Sequence, residues 1–317
     1  MDERVGFDEQ LLPRERHYRP RRLSQAASWR LSVVLVASLL AVYIVCQQYY
    51  FLGTETSLIA VVAVFAIELW VWVIWRARTM NPVWIEVNNT AALLNSGQVA
   101  EAARVLDDLC HRAQSWPEVH ALAVHNRAVG YLRQGQTARA LSLFGAALNS
   151  GCFQNERHPL HQAYPLLLGH LALCYAIQGN LEAAEQWQML AHEHLPPEKS
   201  GMLLVTDVLI GVRRDRYAVM VKDAEAAWLG AEGYLLPASM RGLRLLCAFA
   251  LAYLNAGGAH TEQIRQYTEG AKPCRPGEFD YLAAQWPEFR TFLINNGFAE
   301  QPAALSPAPA AQANRRV

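Results

Sequence analysis

Ten histidines and six cysteines in 317 residues invite a search for metal or acid–base chemistry. The closest histidine pairs are His158/His161 and His192/His194. Ligands at i, i+3 can share a helix face, but Pro159 lies inside the first pair, and i, i+2 spacing turns the second pair's rings apart. His192-Glu193-His194 ends a helical run, where imidazole suits the negative end of the dipole. Asp107 and Asp108 are adjacent, so they diverge on a helix and make a poor acid–base pair. No H-E-x-x-H, C-x-x-C, EF-hand, G-x-x-x-x-G-K-[ST] or G-x-G-x-x-G pattern occurs, nor a nucleophile elbow. The expectation is no metal, no cofactor and no catalytic residue, hence not an enzyme. An unrecognised site within 198–298 is the remaining route to catalysis. With 28 basic and 28 acidic side chains, and only three lysines among the basic ones, the chain lacks the positive footprint of a general nucleic-acid binder.

The sharpest single anomaly is Glu68, set in the apolar run Leu58 to Trp75. A second run, Leu31 to Leu52, carries no charge. As helices these would measure about 27 and 33 Å, close to a hydrocarbon core of about 30 Å. Trp29, Tyr49, Tyr50, Phe51 and Trp75 fall near the ends, where amphipathic rings settle at an interface. A buried hairpin in a soluble protein is the competing reading. The two runs predict a transmembrane hairpin, 31–75, joined by a short loop. Arginines precede the first run and follow the second (Arg14 to Arg30; Arg76, Arg78), and the loop has none. That asymmetry predicts an integral protein of the inner (plasma) membrane with both termini cytoplasmic. The 30 residues ahead of the first run, with no small-x-small site after it, argue against a cleaved signal. Residues 1–30 would be a basic cytoplasmic tail, either a topology signal alone or also a contact to anionic lipid.

Buried at mid-bilayer, Glu68 would cost on the order of 3 kcal/mol if charged, so a neutral hydrogen-bonding acid is expected. Pairing by depth about residue 55 brings Tyr43 nearest, with Ser38 and Cys46 a turn away. Glu68 is then a hairpin staple or a contact to another membrane protein or a second copy, and an ion path is the least favoured option.

After Arg78, Asn81-Pro82 reads as an N-cap and first helical residue, starting a helical domain over 79–298. Three segments, 93–109, 131–147 and 175–191, repeat one arrangement. A large residue (Leu93, Tyr131, Tyr175) stands four before a glycine (Gly97, Gly135, Gly179), and an alanine five after it (Ala102, Ala140, Ala184). Glycine permits the turn and alanine the close approach of two helices. Leu203 to Gly230 offers another helix pair around Arg213-Arg214-Asp215 with little of this pattern, and Leu246, Phe249, Tyr253 and Gly257 keep part of it. Here the sequence resembles the tetratricopeptide repeat (TPR) family, well over 83–197 and weakly over 198–298. The glycines lie 38 and 44 residues apart, against a family period of about 34, so a different α-solenoid is the alternative. The Ala-, Pro- and Gln-rich stretch 299–317 reads as a disordered tail.

The expected fold is therefore all-α, a two-helix transmembrane hairpin (31–52, 58–75) followed by a TPR-like α-solenoid. The resemblance implies a concave groove at Val87, Leu94, Asn95, His125, Asn126, Val129, Arg133, Leu173 and Ile177. Only Asn126 fits the clamp by which some family members hold a C-terminal carboxylate, so an apolar or helical protein or peptide partner is implied. Membrane lipid, a membrane-protein partner and self-association through the hairpin complete the expected contacts. The function expected is a membrane-anchored adaptor or scaffold. The alternative is an accessory subunit of an inner-membrane complex held through Glu68.

Overall fold

The structure, a computed structural model, describes residues 18, 37–41, 43–45, 48, 54–255, 257–275 and 277–300. Those residues contain no strand. From residue 54 eleven helices follow: α1 Thr54–Asn95, α2 Val99–Arg112, α3 Pro117–Arg133, α4 Thr137–Asn149, α5 Tyr164–Ile177, α6 Leu181–Glu193, α7 Leu204–Arg213, α8 Tyr217–Glu232, α9 Pro237–Leu254, α10 Thr261–Gly270 and α11 Pro287–Asn295. The all-helical expectation is met. The tail expected beyond residue 300 lies outside the described residues, as does Cys46.

The membrane expectation is not met. Among the described residues no helix is long and apolar enough to cross a membrane, which overturns the transmembrane hairpin and, with it, the inner-membrane location. The run 58–75 is not an element of its own. Asn81-Pro82 starts no helix; Pro82 lies inside α1, a single 42-residue helix that continues through the polar positions Arg78, Asn81, Glu86, Asn88 and Asn89. Proline there costs the bond to the carbonyl four residues back, and α1 continues because Pro82 faces solvent. Val83, Val87, Thr90 and Leu94, all buried, keep one face of α1 in the core. The partner run 31–52 is described only at 37–41, 43–45 and 48, all helical. Ser38 Oγ donates to Glu68 Oε1 at 3.2 Å, so Ser38, a turn from the expected Tyr43, is placed against the glutamate. Tyr43 is helical and half-buried.

The chain divides into two units. The first comprises 1–131 and 138–167, the second 132–137 and 168–317. In the first, α1 packs on α2. Helix α2 buries Ala102, Ala103, Leu106, Leu109 and Cys110 along one stripe and turns Arg104, Asp108 and Arg112 to solvent. Phe144 and Phe153 fill the interior behind α3 and α4.

In the second unit α9 is the centre, packed against α7, α8 and α10. Leu243, Leu246, Phe249 and Ala250 are among its buried residues. Phe249 meets Trp286 and Phe289 edge-on, at ring distances of 4.9 and 5.1 Å, geometry that favours aromatic pairs. Arg213, at the end of α7, donates to the carbonyls of Ala176 and Ile177 at the end of α5 and to Gln285. One side chain thus satisfies the terminal acceptors of α5 and ties three segments together.

The turns inside the helix pairs follow the sequence pattern. Gly97, Gly135, Gly179 and Gly257 all adopt positive φ. At the first and third, the residue after glycine donates back to the large residue four before it (Gln98 to Leu93, Asn180 to Tyr175). This is the left-handed helix stop that glycine adopts at least cost. Between α7 and α8 the same bonds form around Asp215, at φ 59°, with Arg216 donating to Gly211.

Candidate functional site

The histidines and aspartates read from the sequence have structural partners. His158 accepts from the Leu160 amide, and the His161 ring nitrogen pairs with the Phe153 carbonyl while its face stacks on Tyr164. Asp107 pairs with Arg127, and Asp108 with Arg112. Among the described residues no group of three His, Cys, Asp or Glu side chains is placed to hold a metal ion. Cys110, Cys174 and Cys247 are buried free thiols; burial pushes Cys247 up to about 12, which favours its protonated form.

Of the nine groove positions, Val87, Leu94, His125 and Asn126 in the first unit, and Leu173 and Ile177 in the second, are buried. Asn95, Val129 and Arg133 are half-buried. Asn126 donates to the Val87 carbonyl, bonding α3 to α1. His125 lies against Phe144 and Phe153, with ring centroids 5.5 and 5.8 Å away. Burial holds this imidazole down at about 4, against the opposing effect of its hydrogen bond to Asn126 Oδ1. The six buried side chains lie within helical layers; an open apolar surface lies in the second unit.

That surface is a cleft of about 410 Å³ in the second unit, between α6, the turn Pro197–Leu203, α7 and α8. Its polar floor is one cluster. Gln188 and His192 stand one turn apart on α6 and reach the same carboxylate, Asp207, in the first turn of α7: Gln188 Nε2 lies 2.7 Å and His192 Nε2 3.0 Å from Asp207 Oδ1. The hydrogen bond to Asp207 raises His192 above the ordinary histidine range, against a smaller effect of burial. Met189, Leu204, Val208 and Met220 supply the apolar wall, and Met189 is 61% exposed. At the rim, Glu185 is held by Arg214 and Arg216, and Asp223 lies at the mouth.

Ser200 also lines this cleft. The Asp207 carboxylate already accepts two hydrogen bonds, and beside it stand two methionines, flexible side chains that adapt to the shape of what they touch. The sequence offered one signal for the cluster, Gln188 and His192 at i, i+4 on one helix face. It offered none for Asp207, whose place depends on how α7 returns along α6. Compared with known proteins, the chain matches no family model, no curated protein and no solved structure.

Proposed function

We propose that this chain is a non-enzymatic helical-repeat adaptor of the tetratricopeptide kind, which takes an apolar, helical segment of a protein partner into the cleft between α6, α7 and α8. The observation that carries the reading is the solvent-open methionine of that cleft: Met189 is large, apolar and 61% exposed beside a polar floor that is already paired. The Gly-turn helix pairs support it, because stacked couplets leave surfaces that commonly hold a peptide or helix. Glu185 is offset by Arg214 and Arg216, and Asp207 by His192, which leaves Asp223 at the mouth as the carboxylate that favours a basic residue flanking the bound apolar side chain. A photocrosslinking residue placed at Met189 in the full chain tests the proposal. One discrete protein adduct is expected, lost when Met220→Glu puts a charge into the wall. Adducts that are diffuse, or unchanged by Met220→Glu, refute it.

A second reading is favoured by α1. Ile59, Val62, Phe65, Trp70, Val71 and Trp75 are all exposed on its first half, and Oε2 of Glu68 is buried without a partner among the described residues. An apolar stretch of that extent marks a contact surface, and a protein carrying a hydrogen-bond donor for Glu68 would complete it. Loss of the complex on Glu68→Gln but not on Met220→Glu would place specificity in α1.

A further inference from the structure

Tyr18 is separated by 89 positions from Asp107, yet it is only 2% exposed. Its hydroxyl donates to Asp107 Oδ1 at 2.7 Å. The receiving site is assembled by two helices of the first unit. Helix α2 supplies Asp107. Helix α3 supplies Arg127, whose Nε and Nη2 hold the two oxygens of Asp107 at 2.6 and 3.2 Å, and whose guanidinium lies 3.8 Å over the ring of Tyr131. Tyr131 also hydrogen-bonds the Tyr18 phenol. Burial first, then these two partners, drives that phenol far above its ordinary value, so it remains a donor at any working pH. Arg127 Nη1 is buried with no partner among the described residues. A carboxylate fixed in position by an arginine, with a second phenol beside it, is a site that distinguishes tyrosine from phenylalanine, because only the hydroxyl satisfies it.

We propose that Asp107, Arg127 and Tyr131 form a tyrosine-recognition clasp, occupied in cis by Tyr18 and open to exchange with a tyrosine-bearing peptide whose flanking sequence has the same basic character. The sequence sets that character: Arg14 and Arg16 precede Tyr18 in the chain, and Arg19, Arg21 and Arg22 follow it.

The test titrates a labelled peptide of residues 12–24 into full chains and reads fluorescence anisotropy. Tyr18→Ala empties the clasp, and binding about tenfold tighter than to the unchanged chain is expected, since the cis segment no longer competes. Replacing the peptide's tyrosine by phenylalanine should weaken binding to that variant about tenfold, the value of one hydrogen bond to a charged acceptor. Asp107→Asn added to Tyr18→Ala should weaken it similarly. Tyr18→Phe, which keeps the ring and so the packing, should bind the tyrosine peptide better than the unchanged chain. Equal binding of the tyrosine, phenylalanine and scrambled peptides overturns the proposal, as does equal binding by the unchanged chain and both Tyr18 variants.

Discussion

His125 makes the first unit acid-sensitive in a way that can be calculated. The ring is buried beside Phe144 and Phe153 and titrates at about 4, whereas an unfolded histidine titrates near 6.5. Its folded value is depressed, so the unfolded chain binds the proton more readily between those limits. Stability is therefore fully present above about pH 6.5 and declines as pH falls toward about 4. Each pH unit in that window removes at most about 1.4 kcal/mol, and the whole span is on the order of 3 kcal/mol. The assay is urea unfolding at a series of pH values between 7.5 and 4.5, for the native chain and for His125→Gln. Any constant cost of the substitution drops out, because the comparison is between slopes. Groups common to both proteins, His192 included, cancel as well. The native chain should lose stability more steeply below about pH 6, with a difference of about 2 kcal/mol accumulated by the acid end. Parallel profiles, or an NMR titration of His125 near 6.5, would refute the reasoning that burial sets this histidine.

Gly201→Ala places a methyl carbon 2.8 Å from the Ala231 Cα, a backbone contact that cannot swing away, and should cost about 2–3 kcal/mol by thermal unfolding; Gly230→Ala, with nothing within 4 Å, should stabilise by about 0.5–1 kcal/mol. Gly97→Ala meets no atom within 4 Å at φ +79°, so the expected loss of about 1–2 kcal/mol measures the left-handed backbone alone. Arg213→Met strands the carbonyls of Ala176, Ile177 and Gln285 and should cost about 3 kcal/mol, with Arg213→Lys recovering less than half because an ammonium cannot span the three acceptors. His192 should titrate above the ordinary histidine value by NMR and return toward it in Asp207→Asn; its stabilising contribution is present at low pH and is lost as pH rises through the folded value.

Much of the helix pairing was legible because it depends on local chemistry. A glycine that must adopt positive φ, with a large residue four before it and a small one five after, states a turn and a close approach within ten residues of chain. The boundary at Asn81-Pro82 was misread because a proline at the first helical position and one on the solvent face of a continuing helix share the same local sequence. Only the onward spacing of Val83, Val87, Thr90 and Leu94 separates the two. The apolar run before it was read as an independent span for the same reason: residue content registers hydrophobicity, while continuity with a polar second half is a property of the whole helix. Burial of His125 and Leu173, expected on a groove, depends on which neighbours cover a helix, and no spacing within that helix records them. Asp207 and Tyr18 are long-range in the same sense.

The pair α7–α8, where the repeat pattern fades, is where the second unit opens its cleft, and the two facts have one cause. Count from Asp215 as if it were the glycine: the position four before is Gly211 and the position five after is Met220. In the couplets turning at Gly97, Gly135 and Gly179 those positions hold a large residue and an alanine; here the sizes are exchanged. The contact is retained, since a Cβ on residue 211 would meet the Met220 sulfur at 2.0 Å. Volume is conserved across the helix pair, as close packing requires, but the large side chain now belongs to α8, where Met220 lines the cavity beside Asp207 and His192. An alanine at 220 with a leucine at 211 would satisfy the turn and the packing equally well, while taking from the cleft one of the two flexible side chains that suit it to an apolar guest. The departure from the repeat is the feature that puts Met220 into the cavity wall, so on the proposed function the double substitution Gly211→Leu, Met220→Ala should leave the fold intact and abolish the adduct formed from Met189.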